Sequence, residues 1–310
     1  MGKIVAAFFA WGAYAVLRLV GWKRKTVLAN ATHVAGAFST ASNAAPDASN
    51  AAPDASAVAP VNYDELLINL TRHASELLFR FGTFKKLPHD FTAYPCRVDG
   101  WDFALDEAAF PVLEKMRSGG IFLTAHYGNY EAMGPWLCRL GIPLVASYIP
   151  VKPKWLNNIL ERKIRSVDGR RYSVDARTPR DFMRILNEGK LFCLLADQDS
   201  RIPSAQSGTL LGRAVNVNPL PDFLLRHRPQ TPVFICWMEE RGASPKDESL
   251  EHSSSKKVRV LHAVEVGGVQ SKVNDQFNKW LEERIRENPN LWYSFTHRRF
   301  YSQSPEIYGG

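Results

Sequence analysis

The chain has 310 residues, of which 45% are hydrophobic and 23% are charged, a balance that excludes both a disordered chain and a multi-span membrane protein. Lysine and arginine outnumber aspartate and glutamate by 39 to 31, which gives a formal net charge of +8. This basic excess suits an anionic partner: nucleic acid, an anionic membrane or an acidic carrier protein.

The first segment is apolar, since residues 4–22 contain a single charge, Arg18. About 20 apolar residues cross a bilayer core as a helix, and the basic cluster Lys23, Arg24 and Lys25 favours the cytoplasmic side. A cleaved signal peptide is the alternative, but its charges would precede the apolar stretch instead of following it. We therefore expect residues 1–30 to form an uncleaved membrane anchor with a basic juxtamembrane segment, either spanning the bilayer or lying in its interface.

Residues 31–60 differ sharply from what precedes them. The sequence Ser-Asn-Ala-Ala-Pro-Asp-Ala occurs at 42–48 and again at 49–55, with alanine and serine around it. Small residues and repeated prolines bury too little apolar area to offset chain entropy, so this range is predicted to be a flexible tether. It would connect the anchor to one domain over residues 61–310.

The domain begins with a helix, because apolar residues recur at helical spacing from Leu66 to Phe81. Beyond Tyr94, short apolar runs alternate with amphipathic segments, which predicts an α/β fold with a mostly parallel central sheet flanked by helices. The predicted strands are 120–125, 143–149, 191–196 and 232–238, and the helices lie near 105–117, 130–140, 153–167, 178–188 and 219–228. An exposed hairpin or loop at 240–256, an antiparallel edge strand at 257–266 and a closing helix at 271–288 follow.

The four cysteines are far apart in sequence and have apolar neighbours: Cys96, Cys138, Cys193 and Cys236. No C-x-x-C pair occurs, so neither a zinc site nor a redox dithiol is expected. The pattern indicates reduced core thiols in a cytosolic environment, and we expect no metal and no cofactor.

Ionisable residues follow two of the predicted strands. His126 and Glu131 come after strand 120–125, and Asp197-Gln198-Asp199 come after strand 191–196. Functional groups of open α/β sheets gather at the carboxyl ends of strands, so this placement marks a candidate site. An imidazole with a carboxylate partner can remove a proton from a hydroxyl that attacks a carbonyl. The alternative is that these residues only complete hydrogen bonds at a strand end and a helix start.

A covalent enzyme intermediate is not expected. The chain contains no G-x-S-x-G motif, and no cysteine has a polar sequence environment. The sequence therefore favours direct transfer between two bound substrates.

The sequence from His126 to Glu131, HYGNYE, resembles the H-x-x-x-x-[DE] box of the glycerolipid acyltransferase superfamily. It is most similar to the H-[FY]-G-N-[WY]-E form of the bacterial lipid A biosynthesis acyltransferases, the late lauroyl and myristoyl transferases. Other segments resemble that family in the expected order: Ala196-Asp197-Gln198-Asp199, Leu211-Gly212-Arg213-Ala214, Asn288-Pro289-Asn290-Leu291-Trp292 and His297-Arg298-Arg299-Phe300.

The resemblance implies a glycerolipid acyltransferase-like fold and an O-acyltransferase that needs no cofactor. Its donor would be an acyl carrier protein thioester and its acceptor a hydroxyl of a lipid A precursor, at the cytoplasmic face of the inner membrane. In this chain His126 would be the general base and Glu131 its charge partner, and Asn129 would shape the turn between them. The substrate-binding residues implied are Asn129, Arg165, Asp197 and Gln198, with Arg165 holding an oxyanion or phosphate and the last two bracing the pocket.

Two further functions stay open at this stage. The acceptor of the same reaction can be another glycolipid, an ornithine lipid or a phospholipid, with acyl-CoA as the donor. A function of another class is an inactive, membrane-anchored lipid-binding protein. Nucleic-acid binding is disfavoured, because the basic residues are dispersed and no recognition motif occurs.

Overall fold

The computed structural model describes residues 2–42, 58–148, 150, 152–163, 165–175, 178–242, 257–267 and 272–309. The helices are α1 Gly2–Leu19, α2 Arg24–Ser42, α3 Tyr63–Arg80, α4 Phe110–Met116, α5 Tyr130–Arg139, α6 Lys154–Lys163, α7 Pro179–Asn187, α8 Leu220–His227 and α9 Val273–Glu287. The strands are β1 Cys96–Val98, β2 Trp101–Leu105, β3 Gly120–Thr124, β4 Leu144–Ser147, β5 Ser166–Val167, β6 Arg170–Arg171, β7 Ser173–Val174, β8 Leu191–Leu195, β9 Gln206–Leu210, β10 Arg213–Val217, β11 Val233–Gly242 and β12 Lys257–Val266.

The central sheet has the strand order β1-β2-β12-β11-β3-β8-β4-β7. Most neighbouring strands are parallel, and the antiparallel pairs are β1 with β2 and β11 with β12. The predicted α/β class with a mostly parallel sheet is therefore confirmed. Strands β1 and β2 were not predicted from the sequence, and the position of β12 in the sheet was therefore predicted wrongly. That strand was predicted at an edge, but β2 pairs with its outer side, so it lies inside the sheet.

Successive residues of a strand point to opposite sides of the sheet, so the apolar strands present hydrophobic side chains on both faces. Helices cover both of these faces. On one face, side chains of α2, α7, α8 and α9 pack in a core with Ile121 and Phe192. On the other face, α4 and α5 pack in a second core with Phe122 and Leu191. The carboxyl ends of β3 and β8 stay open between these layers, and the candidate site lies there.

The apolar N-terminal segment is not one continuous helix. Helix α1 ends at Leu19, because Gly21 and Lys23 adopt left-handed backbone angles (φ of 60° and 57°) that an α-helix cannot contain. The prediction of a single apolar helix through Trp22 is therefore wrong at its C-terminal end. Among the described helices, none is by itself long and apolar enough to cross a membrane, and α1 and α2 qualify only as a pair bent by 81°.

Helix α1 packs against α3 and leaves an apolar face uncovered. Arg18 pairs with Asp64 at 2.7 Å, and the rings of Phe9 and Phe79 lie 5.2 Å apart. The exposed side chains of this helix include Ile4, Phe8 and Trp11, with 77%, 74% and 66% of their surface accessible.

Helix α2 extends into the range predicted as a tether. Residues 31–42 are helical, which corrects that part of the prediction, and residues 43–57 lie outside the described residues. Alanine is the best helix former, and the buried Val34 anchors this helix to the domain. The Asn30 side-chain amide also donates to the backbone carbonyls of Phe295 and His297, at 2.8 and 2.7 Å.

Candidate active site

His126 and Asp197 lie side by side because of the register of two parallel strands. Thr124 pairs with Leu195 at the ends of β3 and β8, and each ionisable residue follows its strand end by two positions. The His126 Nδ1 atom lies 2.7 Å from Asp197 Oδ1, and the His126 backbone N–H donates to Oδ2 of the same carboxylate at 3.1 Å. Asp197 is fully buried, whereas 18% of the His126 side chain is exposed.

Two side chains from residues 288–300, called the C-terminal segment below, also hydrogen-bond to the Asp197 carboxylate. Trp292 Nε1 donates to Asp197 Oδ2 at 2.9 Å, and the Ser294 hydroxyl donates to the same oxygen at 2.6 Å. Burial by itself would raise the pKa of Asp197, but the His126 ring and these hydrogen bonds hold it well below its usual range. Asp197 is therefore an anion that fixes the histidine ring.

The carboxylate also decides the chemistry of the imidazole. An ionised Asp197 accepts the Nδ1 hydrogen, which leaves Nε2 as the basic nitrogen. Burial opposes protonation of His126, yet the charge and hydrogen bond of Asp197, with a further contribution from the Glu131 charge, raise its pKa above the ordinary value. A histidine held in this way is suited to act as a general base.

Glu131 raises the pKa of His126 through its charge, which is the role of a charge partner, and makes no hydrogen bond to the His126 ring among the described residues. Direct contact with the ring comes from Asp197, predicted only to brace the pocket. Glu131 lies in the first turn of α5, 3.9 Å from Arg165 Nη2, and burial raises the pKa of its carboxyl group although Arg165 and His126 oppose this. Its influence on His126 is electrostatic.

Arg165 faces the same cavity as Glu131 and His126. Its guanidinium lies 4.6 Å from the centroid of the Tyr148 ring, and 16% of the side chain is exposed. The Nη1 atom is buried and has no hydrogen-bond partner within the described structure. A buried donor without a partner is costly, so this atom is a candidate contact for a bound anion or a developing negative charge.

The turn formed by residues 126–129, between β3 and α5, is called the motif turn below. The side chain of Asn129 at the end of this turn points away from the cavity of His126. Its side-chain nitrogen donates to Glu76 Oε2 at 2.7 Å, in a separate polar cavity of about 450 Å³ lined by His73 and Tyr293. The side chain of Asn129 therefore does not line the larger cavity of His126, although the residue ends the turn that leads into α5. Gln198 does line that larger cavity, as its predicted substrate-binding role requires.

The turn after β3 is clamped by the C-terminal segment. The Gly128 N–H donates to the carbonyl of Leu291 at 2.9 Å, and the Tyr293 N–H donates to the carbonyl of His126 at the same distance. Gly128 has a φ of 56°, a conformation that glycine adopts without steric cost.

His73 was not found from the sequence. It is buried in α3, stacks on the ring of Tyr293 and contacts the ring of Tyr130 at a tilt, with centroids 5.2 Å apart. Neither ring nitrogen has a hydrogen-bond partner in the described structure. Burial lowers the pKa of His73 to about 3, so the ring is neutral. Tyr130 in turn contacts His126 edge to face, with centroids 5.0 Å apart. A lone histidine in an amphipathic helix gives no sequence signal for such a position.

A cavity of about 1280 Å³ opens at His126. Its charged and polar residues near the strand ends are His126, Glu131, Arg165 and Gln198, and most of its other lining is apolar: Phe122, Met133, Leu144, Tyr172, Phe182, Leu194, Leu195, Ile202, Leu220 and Phe223. No hydroxyl or thiol hydrogen-bonds to the His126 ring in the described part of the chain. The site therefore combines a proton acceptor with space for a large apolar ligand.

Within the described ranges, no group of three His, Cys, Asp or Glu side chains is placed to hold a metal ion. The four cysteines are free, and burial raises the pKa of the Cys193 thiol, which lines the cavity. A protonated thiol at this position is a poor nucleophile.

Comparisons with known proteins find no family model that matches this chain and no significant match among curated proteins.

Proposed function

We propose that the protein is an O-acyltransferase that moves a fatty acyl chain from an acyl carrier protein thioester to a hydroxyl of a lipid A precursor. The observation that carries the proposal is the His126–Asp197 pair at the opening of a large, mostly apolar cavity. A general base next to an apolar cavity suits transfer of a long acyl chain. The resemblance of the motif segments supplies the donor and the acceptor.

The reaction needs one proton acceptor and one site for negative charge. His126 Nε2 takes the proton of the acceptor hydroxyl while its oxygen forms a bond to the thioester carbonyl carbon. The resulting oxyanion is stabilised by Arg165, whose Nη1 atom is buried without a partner among the described residues. The intermediate then collapses, the carbon–sulfur bond breaks, and the histidine returns its proton to the leaving thiolate.

The charge distribution supports an acidic donor protein. Residues 152–190 contain eleven lysines and arginines against five acidic residues, so this segment carries +6 of the net charge of +8. It comprises α6, β5, β6, β7 and α7, and Arg165 and Pro179 of this segment line the cavity. An acidic carrier protein would be attracted to this region.

The exposed apolar face of α1 supports association with the inner membrane. Ile4, Phe8 and Trp11 are mostly accessible, and the basic residues Lys23 and Arg24 follow the helix. Apolar side chains next to basic ones bind anionic bilayers, whether the helix pair enters the membrane or lies on it.

The purified full chain tests the proposal when it is incubated with acyl carrier protein thioesters and a lipid A precursor. Mass spectrometry should detect the acylated precursor, and a thiol assay should detect an equal amount of free carrier. Parallel reactions with acyl-CoA, ornithine lipid and lysophospholipid identify a different donor or acceptor. Lipid A with an unchanged acyl count in cells that lack the gene would contradict the proposed acceptor, and absence of transfer to every acceptor would favour the lipid-binding alternative.

A substitution of Gly128 tests whether the geometry of the motif turn affects activity independently of the stability of the protein. We expect Gly128→Ala to lower the free energy of unfolding by about 1–2 kcal/mol, because alanine is strained at a φ of 56°. Its Cβ would also lie 3.3 Å from the Met238 carbonyl oxygen, and a shift of this turn displaces His126. Transfer should therefore fall by about 10- to 100-fold, since misplacements of about 1 Å are that costly.

Gly141→Ala is the matched control for this substitution. Gly141 also has a positive φ, of 79°, but an added Cβ meets no atom within 4 Å. Urea unfolding should show a similar loss of stability in both variants, with transfer impaired only in Gly128→Ala. Equal activities of the two variants would show that the turn does not position the base.

A further inference from the structure

The large cavity lies on both sides of the central sheet. Cys193 and Leu194 are consecutive residues of β8, so their side chains point to opposite faces, yet both line the cavity. Cys193 packs with the core on the α5 side, and Leu194 belongs to the core on the side of α7 and α8. The cavity therefore has two lobes, which meet at the strand ends beside His126.

The α5-side lobe is lined mainly by buried apolar side chains. Its lining includes Phe122, Met133, Leu144, Tyr172 and Cys193, which are buried or nearly so. Phe122 is level with Cys193 and Ala146 in the neighbouring strands, all three line the cavity, and Thr124 lies at the end of β3. At about 3.3 Å per residue, the lobe extends about 7 Å below the end of β3.

The α8-side lobe is different in chemistry. Leu220 and Phe223 lie on one side of α8 with Arg226, and all three line the cavity. The leucine and phenylalanine are partly buried, whereas Arg226 is exposed, and the amides of Gln206 and Asn218 line the same lobe. This lobe is apolar inside and has amide groups and a cation near the surface. Such a lining fits an amphiphile with a hydrocarbon part and a polar group.

We infer that the cavity binds two hydrocarbon chains at once, one in each lobe, with their reacting ends at His126. The donor's acyl chain occupies the mainly apolar α5-side lobe, because the far end of this chain is a methyl group and carries nothing polar. The acceptor amphiphile occupies the α8-side lobe, where its polar part reaches Gln206, Asn218 and Arg226. The assignment of donor and acceptor rests on the proposed function, whereas binding of two chains does not. The total volume of about 1280 Å³ exceeds the range of about 300–1,000 Å³ that is usual for a single small ligand.

Native mass spectrometry of the full chain with myristate tests the inference without any turnover. The unchanged protein should bind two myristate molecules at saturation. Ala146→Leu fills the α5-side lobe and Leu220→Trp fills the α8-side lobe, so each variant should bind one molecule and the double variant none. Saturation at one molecule in the unchanged protein, or loss of all binding in either single variant, would show one continuous site and overturn the inference.

A second measurement assigns the lobes and does not depend on how well any variant accommodates myristate. In the transfer assay, Ala146→Leu should shift preference toward shorter donor chains by about tenfold or more, with an unchanged KM for the acceptor. Leu220→Trp should raise the acceptor KM and leave donor chain preference unchanged, so each variant is the control for the other. Two bound chains without transfer would reject only the proposed function, whereas transfer with one bound chain would reject only the two-lobe inference.

Discussion

Replacing His126 by glutamine should lower kcat for acyl transfer by about 10²- to 10⁴-fold, the usual contribution of a general base. The amide of glutamine can still donate to Asp197, so the buried carboxylate keeps a partner and the protein should remain folded. Initial rates with a saturating thioester donor measure the loss, and circular dichroism with urea unfolding checks the fold.

The control for this variant is His89→Gln. His89 is exposed and contacts the backbone carbonyl of Arg139 through Nδ1, away from the cavity. Its replacement should leave kcat unchanged. Near-normal turnover by His126→Gln would exclude His126 as the catalytic base.

Asp197→Asn should be almost as damaging, with kcat lower by about 10²- to 10⁴-fold. The variant removes the negative charge that fixes the His126 ring with Nε2 as its basic nitrogen. An asparagine can present its amide nitrogen to Nδ1 instead, which would favour the wrong tautomer. Steady-state rates at the pH optimum measure this effect.

The pH profile distinguishes this role from simple support of the fold. A general base works when deprotonated, so activity of the unchanged protein should fall as pH decreases through the pKa of His126, which lies above its ordinary value of 6.5. Asp197 is a major cause of that elevation. In Asp197→Asn the acidic limb of kcat/KM should therefore move to lower pH, and an unmoved limb would contradict the pairing.

Glu131→Gln is the informative comparison for Asp197→Asn. The Glu131 charge also raises the pKa of His126, but Asp197 contributes more. Glu131→Gln should therefore shift the acidic limb in the same direction by a smaller amount. If Glu131→Gln shifted the limb further than Asp197→Asn, the carboxylate of the sequence motif would be the main electrostatic partner.

Much of the sheet could be predicted because its strands are continuous apolar runs. Residues 120–125 and 191–196 are buried on both faces, and β3 and β8 occupy them almost entirely. The hairpin of β1 and β2 was missed, since Arg97 and Asp102 interrupt its apolar pattern. Those two charges pair at 2.8 Å, a contact that the sequence alone does not reveal.

The site could be predicted only in part, for a comparable reason. His126 and Asp197 could be predicted as site residues, because each is an ionisable residue that directly follows an apolar strand in the sequence. Which carboxylate hydrogen-bonds to the imidazole depends on strand register, whereas the H-x-x-x-x-E spacing marks Glu131, which acts on His126 through its charge. The donors Trp292 and Ser294 lie about a hundred residues from Asp197, so no local pattern assigns them.

The hydrogen bonds around Asp197 join parts of the chain that are far apart in sequence. The contact of Asp197 with His126 spans 71 residues, its contact with Trp292 spans 95, and the contact of Asn30 with Phe295 that supports them spans 265. Non-local contacts of this kind slow folding. The pairing of β3 with β8 spans the same 71 residues as the contact of His126 with Asp197, so we expect the reaction centre to become ordered together with the sheet that supports it.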